Sequence, residues 1–237
     1  MDALDRLTGP ANDLLVLVDR ALARSGAPDA HPVWPLLRRV GALPGAAVSA
    51  IADLRPAPLA AAVPSLRTLA QGYADASAAV TVGGSVAAAR SGVSGLAVDS
   101  DGWQGGAAEV FAARWSALSA HLVGGVDSMY ARLEATAAYA DSIASWMSRT
   151  RGAVAETLAR VLTSAEAVAM VTDPTGARRS GAESPAPESP TRRAAPAHAE
   201  IAAAVLEPIA HAGEEASELT ERWSPRLVEL AYRQRRD

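Results

Sequence analysis

The sequence predicts an all-α protein: an antiparallel helical hairpin or elongated helical bundle with short N-terminal helices, a disordered linker and a C-terminal helical arm. Three observations predict it. Half of the 237 residues are hydrophobic, yet there are only one Phe, four Tyr and five Trp. Alanine dominates instead, the best helix former and one that adds little volume to a core. Over long stretches the apolar residues recur in steps of three and four, the spacing of helices packed side by side. Between the two longest stretches lies a run rich in glycine, serine and aspartate, which reads as a turn.

The chain divides into four segments: 1–58, 59–172, 173–198 and 199–237. In the first, residues 11–25 read as a short helix, with Asn12 or Asp13 as its cap and Gly26 just beyond its end. Pro32, Pro35, Pro44, Pro56 and Pro58 then leave room only for short pieces such as 35–41 and 45–54. These short helices are expected to pack on the hairpin.

The hairpin occupies 59–172. Its first helix is expected to begin near Pro64, whose fixed φ suits a first turn. Its stripe is Leu66, Leu69, Tyr73, Ala76, Val80, Gly83 and Ala87. The turn lies at 91–106, where five glycines are interspersed with Ser and Asp. The second helix is expected to run from about 106 on Phe111, Trp115, Leu118, Leu122, Val126, Met129 and Leu133. It continues through Ala137, Ala140, Val154, Leu158 and Ala165, with a possible bend at Gly152 and no turn cluster before Thr172-Asp173-Pro174. The first helix is too short to shield that length. The stripe beyond Ala137 is therefore expected to be covered by the N-terminal helices or left for a partner or the Trp223 helix.

Residues 173–198 are rich in Pro, Ala, Ser and Arg and nearly lack large apolar side chains, so they predict a disordered linker. Residues 199–237 return to helix on Ile201, Val205, Ile209, Leu219, Trp223 and Leu227, with Pro208 and Pro225 expected to kink or divide it.

The formal charge of −4 is thinly spread, and every base except the histidines is Arg. No segment gathers the basic footprint that phosphate binding requires, which argues against a nucleic-acid partner. Cysteine is absent, excluding disulfides and thiolate metal sites. At the amino terminus Asp2 and Asp5 precede Arg6, unlike a Sec signal. No uninterrupted apolar run reaches the roughly 20 residues of a membrane-spanning helix. His31, His121, His198 and His211 are scattered, and His211 with Glu214 and Glu215 supplies too few ligands for zinc. No nucleophile elbow or phosphate-cradling loop is present; Gly83-Gly84-Ser85 lacks the lysine such a loop needs. The expectation is of no catalytic residues, no metal and no cofactor.

What stands out is the turn itself. Trp103-Gln-Gly105-Gly-Ala-Ala-Glu-Val-Phe111, with Trp115 four residues on, joins two helices of seam-type periodicity. Over about residues 60–150 the sequence resembles the WXG family, the ESX-type helical-hairpin substrates of type VII secretion. Their pattern is a Trp-x-Gly turn, small residues and an aromatic early in the second helix. The resemblance implies pairing with another such hairpin, as homo- or heterodimer in a four-helix bundle, and recognition by the type VII secretion ATPase. It implies export by a Sec-independent route. Trp103 and Gly105 would form the recognition turn, and Phe111, Trp115, Leu118, Leu122, Met129 and Leu133 the hairpin or dimer seam. The family's second signal, Tyr-x-x-x-Asp/Glu, is matched in spacing by Tyr130 and Glu134, a candidate export signal lying mid-helix. The chain is longer than the simplest members at both ends, which suits a longer substrate or a secretion-associated protein. The alternatives are a cytoplasmic helical adaptor or chaperone that is never exported and, against the absence of catalytic motifs, a toxin or enzyme.

Overall fold

A computed structural model describes residues 2–82, 105–172 and 196–230, apart from the side chains of 79–82, 108 and 230. Among the described residues all regular structure is helical: α1 (Ala3–Ser25), α2 (Val33–Val40), α3 (Pro44–Ala52), α4 (Pro56–Val82), α5 (Gly106–Leu122), α6 (Met129–Leu162), α7 (Ala165–Thr172) and α8 (Ala197–Leu230). The protein is all-α.

Several helix boundaries depart from the sequence expectation, each for a local reason. α1 starts at the amino terminus, well ahead of Asn12. Asp2 accepts from the Asp5 N–H and Asp5 from the Asp2 N–H, both at 3.0 Å, a reciprocal cap that satisfies two end donors. The helix then runs through Pro10 and ends at Gly26, whose φ is 63°. α4 starts at Pro56 and carries Pro64 inside it. Pro56 and Pro58 fall in its first turn, where the backbone N–H has no helical partner to lose.

The second helix of the pair is not continuous. It breaks at Val123–Ser128 and again at Thr163–Ser164, and in both places a serine caps the next helix. The Ser128 hydroxyl accepts from the Ala131 N–H at 3.2 Å, and the Ser164 hydroxyl from the Ala167 N–H at 3.2 Å. Gly152 lies within an unbroken α6, and α8 passes through Pro208 and Pro225 undivided. The linker expected at 173–198 lies outside the described residues up to 195.

The chain divides into two compact units, Met1–Arg55 with Ser145–Leu219, and Pro56–Ala144 with Thr220–Asp237. The first is built on α1, whose Leu4, Leu14, Leu15, Val18 and Leu22 are buried. They join Val48 of α3, Val154, Leu158 and Val161 of α6, Met170 of α7, and Ile201, Val205 and Leu206 of α8 in one core. In the second unit, Val63 and Leu66 of α4 pack with Ala137 and Ala140 of α6, and the Tyr139 and Trp223 rings lie 5.4 Å apart. The stripe beyond Ala137 is therefore not an open surface. Ala137, Ala144, Val154 and Leu158 are all buried. α4, which begins earlier than expected, covers its start, and the N-terminal helices with α8 cover its continuation.

Within residues Pro44–Ala78 a window of 18 residues reaches a mean hydropathy of 1.3, which by length and composition alone would suit a membrane span. That stretch takes in α3 and α4, which are separated by Asp53-Leu54-Arg55.

Candidate functional site

The helical pair of α4 and α5 carries the site singled out by the sequence. Trp103 and Gln104 lie outside the described residues. Gly105 sits immediately before α5 with φ 107°, a conformation L side chains rarely adopt. A Cβ added there would meet nothing within 4 Å, so the glycine answers a backbone requirement and not a close approach.

From Gly105 the helix leads directly onto the aromatic pair. Phe111 and Trp115, one turn apart, stack with ring centroids 5.6 Å apart and planes 19° from parallel, both half-buried. Leu118 is 45% exposed and Leu122 half-buried. None of the described side chains of α5 is buried. Val110 is 60% exposed on the same helix, and Val126, in the break beyond it, is 81% exposed. Met129 and Leu133 continue the stripe on α6, half-buried, and Tyr130 and Glu134 lie beside them in the same state. On α4, Leu69 is half exposed, and the Ser77 hydroxyl lies 3.2 Å from that of Ser119. Glu109 and Arg114 are the only acid and base of α5, with His121 near its end. The result is an apolar face of low charge, only partly covered within its own unit.

The other unit contains a different kind of centre. Arg151 of α6 is almost fully buried. Its guanidinium donates to the Asp2 carboxylate at 2.6 and 2.9 Å and to Asp5 at 2.6 Å. It also donates to the carbonyls of Ile51, Ala52 and Leu54 where α3 ends. Hydrogen bonding from Arg151 holds the Asp2 carboxyl down to about 2. The Asp5 carboxyl is lowered by the Asp2 N–H first and Arg151 second, and the Arg151 guanidinium is raised by Asp2. One planar fork thus ties the start of α1 and the end of α3 to the middle of α6, an arrangement that serves structure and leaves no donor free for chemistry. Sequence reasoning missed it. The Asp2-x-x-Asp5 spacing was a readable cap signal, but nothing in the sequence pointed to an arginine 146 residues beyond Asp5.

An open groove of about 490 Å³ in the same unit is lined by Leu36, Arg39, Glu156, Glu207 and His211 among others. Arg39 is paired with Glu214 across its edge, and His211 lies near Glu214 and Glu215. Charges of both signs line it. Among the described residues no group of three or more His, Asp or Glu is placed to hold a metal ion. At the start of α8, His198 Nε2 is 2.7 Å from the Gly26 carbonyl, and His31 Nδ1 accepts from the Val33 N–H, so both imidazoles are engaged in holding the α1–α2 connection.

No protein-family model, curated protein or solved structure matches the chain.

Proposed function

We propose that this chain is a WXG-like type VII secretion substrate or secretion-associated protein that acts by pairing its α4–α5 face with another helical hairpin. One observation carries the reading. The face next to Trp103-Gln104-Gly105 is apolar, nearly uncharged and incompletely covered, and it includes stacked aromatics one turn inside the helix. Aromatic side chains are the strongest anchors of protein interfaces, and a helix face at i, i+4 and i+7 spacing is suited to a groove between helices. In this reading Gly105 shapes the recognition turn, Trp103 supplies its anchor, and the secretion ATPase reads the pair. Tyr130 and Glu134 are the candidate second signal.

The test compares culture filtrate with lysate in cells with and without a functional type VII ATPase, for the parent chain and for Trp103→Arg. The parent is expected in the filtrate only when the ATPase works. Trp103→Arg is expected to keep its helical circular dichroism and to lose export. Recovery of the parent in the lysate alone from both strains would overturn export and leave the cytoplasmic adaptor. Loss of helical signal in Trp103→Arg would assign Trp103 to the hairpin core.

A further inference from the structure

The apolar stripe through the second helix of the pair is unbroken in the sequence: Leu118, Leu122, Val126, Met129 and Leu133 recur at helical spacing. The backbone nevertheless leaves the helix between Val123 and Ser128, and Val126 in that interval is the most exposed of the five. The two sides of the break meet α4 in different registers. α5 meets it where Ser77 faces Ser119, and α6 meets it where Val63 packs with Ala137. From Ser77 back to Val63, α4 advances 14 residues, whereas 18 separate Ser119 from Ala137. At least one helical turn of surplus chain is therefore taken up in the break.

We infer that residues 123–128 are a hinge with two states, the broken form and a continuous helix in which α5 has slid one turn along α4 toward its C-terminal end. Steps of one turn between packed helices are a recognised form of two-state change. Each state has its own support. The Ser128 cap on the Ala131 N–H exists only in the broken form, and Gly124 and Gly125 weaken a continuous helix. Val123 and Gly124 already donate to Ser119 and Ala120; the continuous form extends the helical hydrogen bonds through 125–127 and brings Leu118, Val126 and Leu133 onto one face. The hinge does not depend on whether the protein is exported.

Gly124 distinguishes the states. In the broken form a Cβ at this position would stand 2.5 Å from the Ala120 Cα and 2.9 Å from its Cβ, closer than real side chains come. In a continuous helix, Cβ atoms four residues apart are separated by about 5–6 Å, so alanine is admitted. At Gly125 an added Cβ meets nothing within 4 Å, and alanine there fits the broken form.

The chain has no cysteine, so a Ser77→Cys, Ser119→Cys pair reports the broken register by disulfide formation. The pair is expected to oxidise readily in the parent background and with Gly125→Ala. With Gly124→Ala, oxidation is expected to slow roughly tenfold or more, as a population shift of that size requires. The amides of 125–127 should then gain hydrogen-exchange protection, with helical circular dichroism undiminished. Cross-linking of Gly124→Ala as fast as the parent would overturn the hinge. So would a lost cross-link without protection at 125–127, because the substitution would then only have damaged the bend.

Discussion

Arg151 ties three elements together, because from α6 its one rigid fork satisfies acceptors at the start of α1 and the end of α3. Removing it leaves three carbonyls of the α3 terminus without that donor and two carboxylates without their counter-ion. Arg151→Leu is expected to cost about 2–4 kcal/mol, at the lower end of losses for broken buried pairs because both aspartates reach solvent. Urea denaturation measures it through a lower midpoint at unchanged slope. The pH dependence comes from the same contacts. The Asp2 carboxyl, ordinarily near 3.8, is held to about 2 in the folded chain. A depressed acid contributes stability that is fully present above the unfolded value and is lost as pH falls through the folded one. Between about pH 4 and 2 the protein is therefore expected to lose stability, and Asp2→Asn to flatten that acid limb. A limb unchanged by Asp2→Asn would show that the clasp does not set acid stability.

At the scale of elements, α5 and α6 differ in what they bury, although both carry the same stripe. Leu158 of α6 is 1% exposed within the core of its unit, whereas Leu118 of α5 is 45% exposed. Leu158→Ala is expected to cost about 2–4 kcal/mol through the cavity it leaves. Leu118→Ala is expected to stay within about 0.5 kcal/mol in the isolated chain and to show its effect only in partner binding. Thermal unfolding of the two variants, with a pull-down for Leu118→Ala, separates these roles; equal destabilisation by both would mean that the α5 face is core and not interface. Helix ends explain why the boundaries were only partly legible. Gly26 and Gly41 end their helices in positive φ, and the position of Gly26 is readable from sequence as such a stop. Pro64, Pro208 and Pro225 mislead as boundaries, because burial of neighbouring side chains outweighs one missing hydrogen bond and a steric bend. The Gly124-Gly125 break escapes the sequence for the opposite reason: the apolar spacing across it is continuous, and spacing reports faces, not ends.

Over the whole molecule, composition and periodicity alone determined that the chain is helical. Alanine-rich stretches with apolar steps of three and four form helices wherever a second surface is available, and that property is local. The short α2 and α3 between the prolines were legible in the same way. Which surfaces those helices meet was decided only by the tertiary structure. The stripe from Ala137 through Leu158 reads from sequence as one face awaiting cover from the N-terminal helices, a partner or the Trp223 helix, and the structure divides it: its start belongs with Val63 and Leu66 and its continuation with Leu15, Val48 and Leu206. Contacts between residues so far apart in the chain leave no trace in spacing, because periodicity records that a face will be buried without recording against what. The Arg151 clasp is the sharpest instance. Its partners are set by how three helix segments converge, and that convergence exists only once the chain has packed.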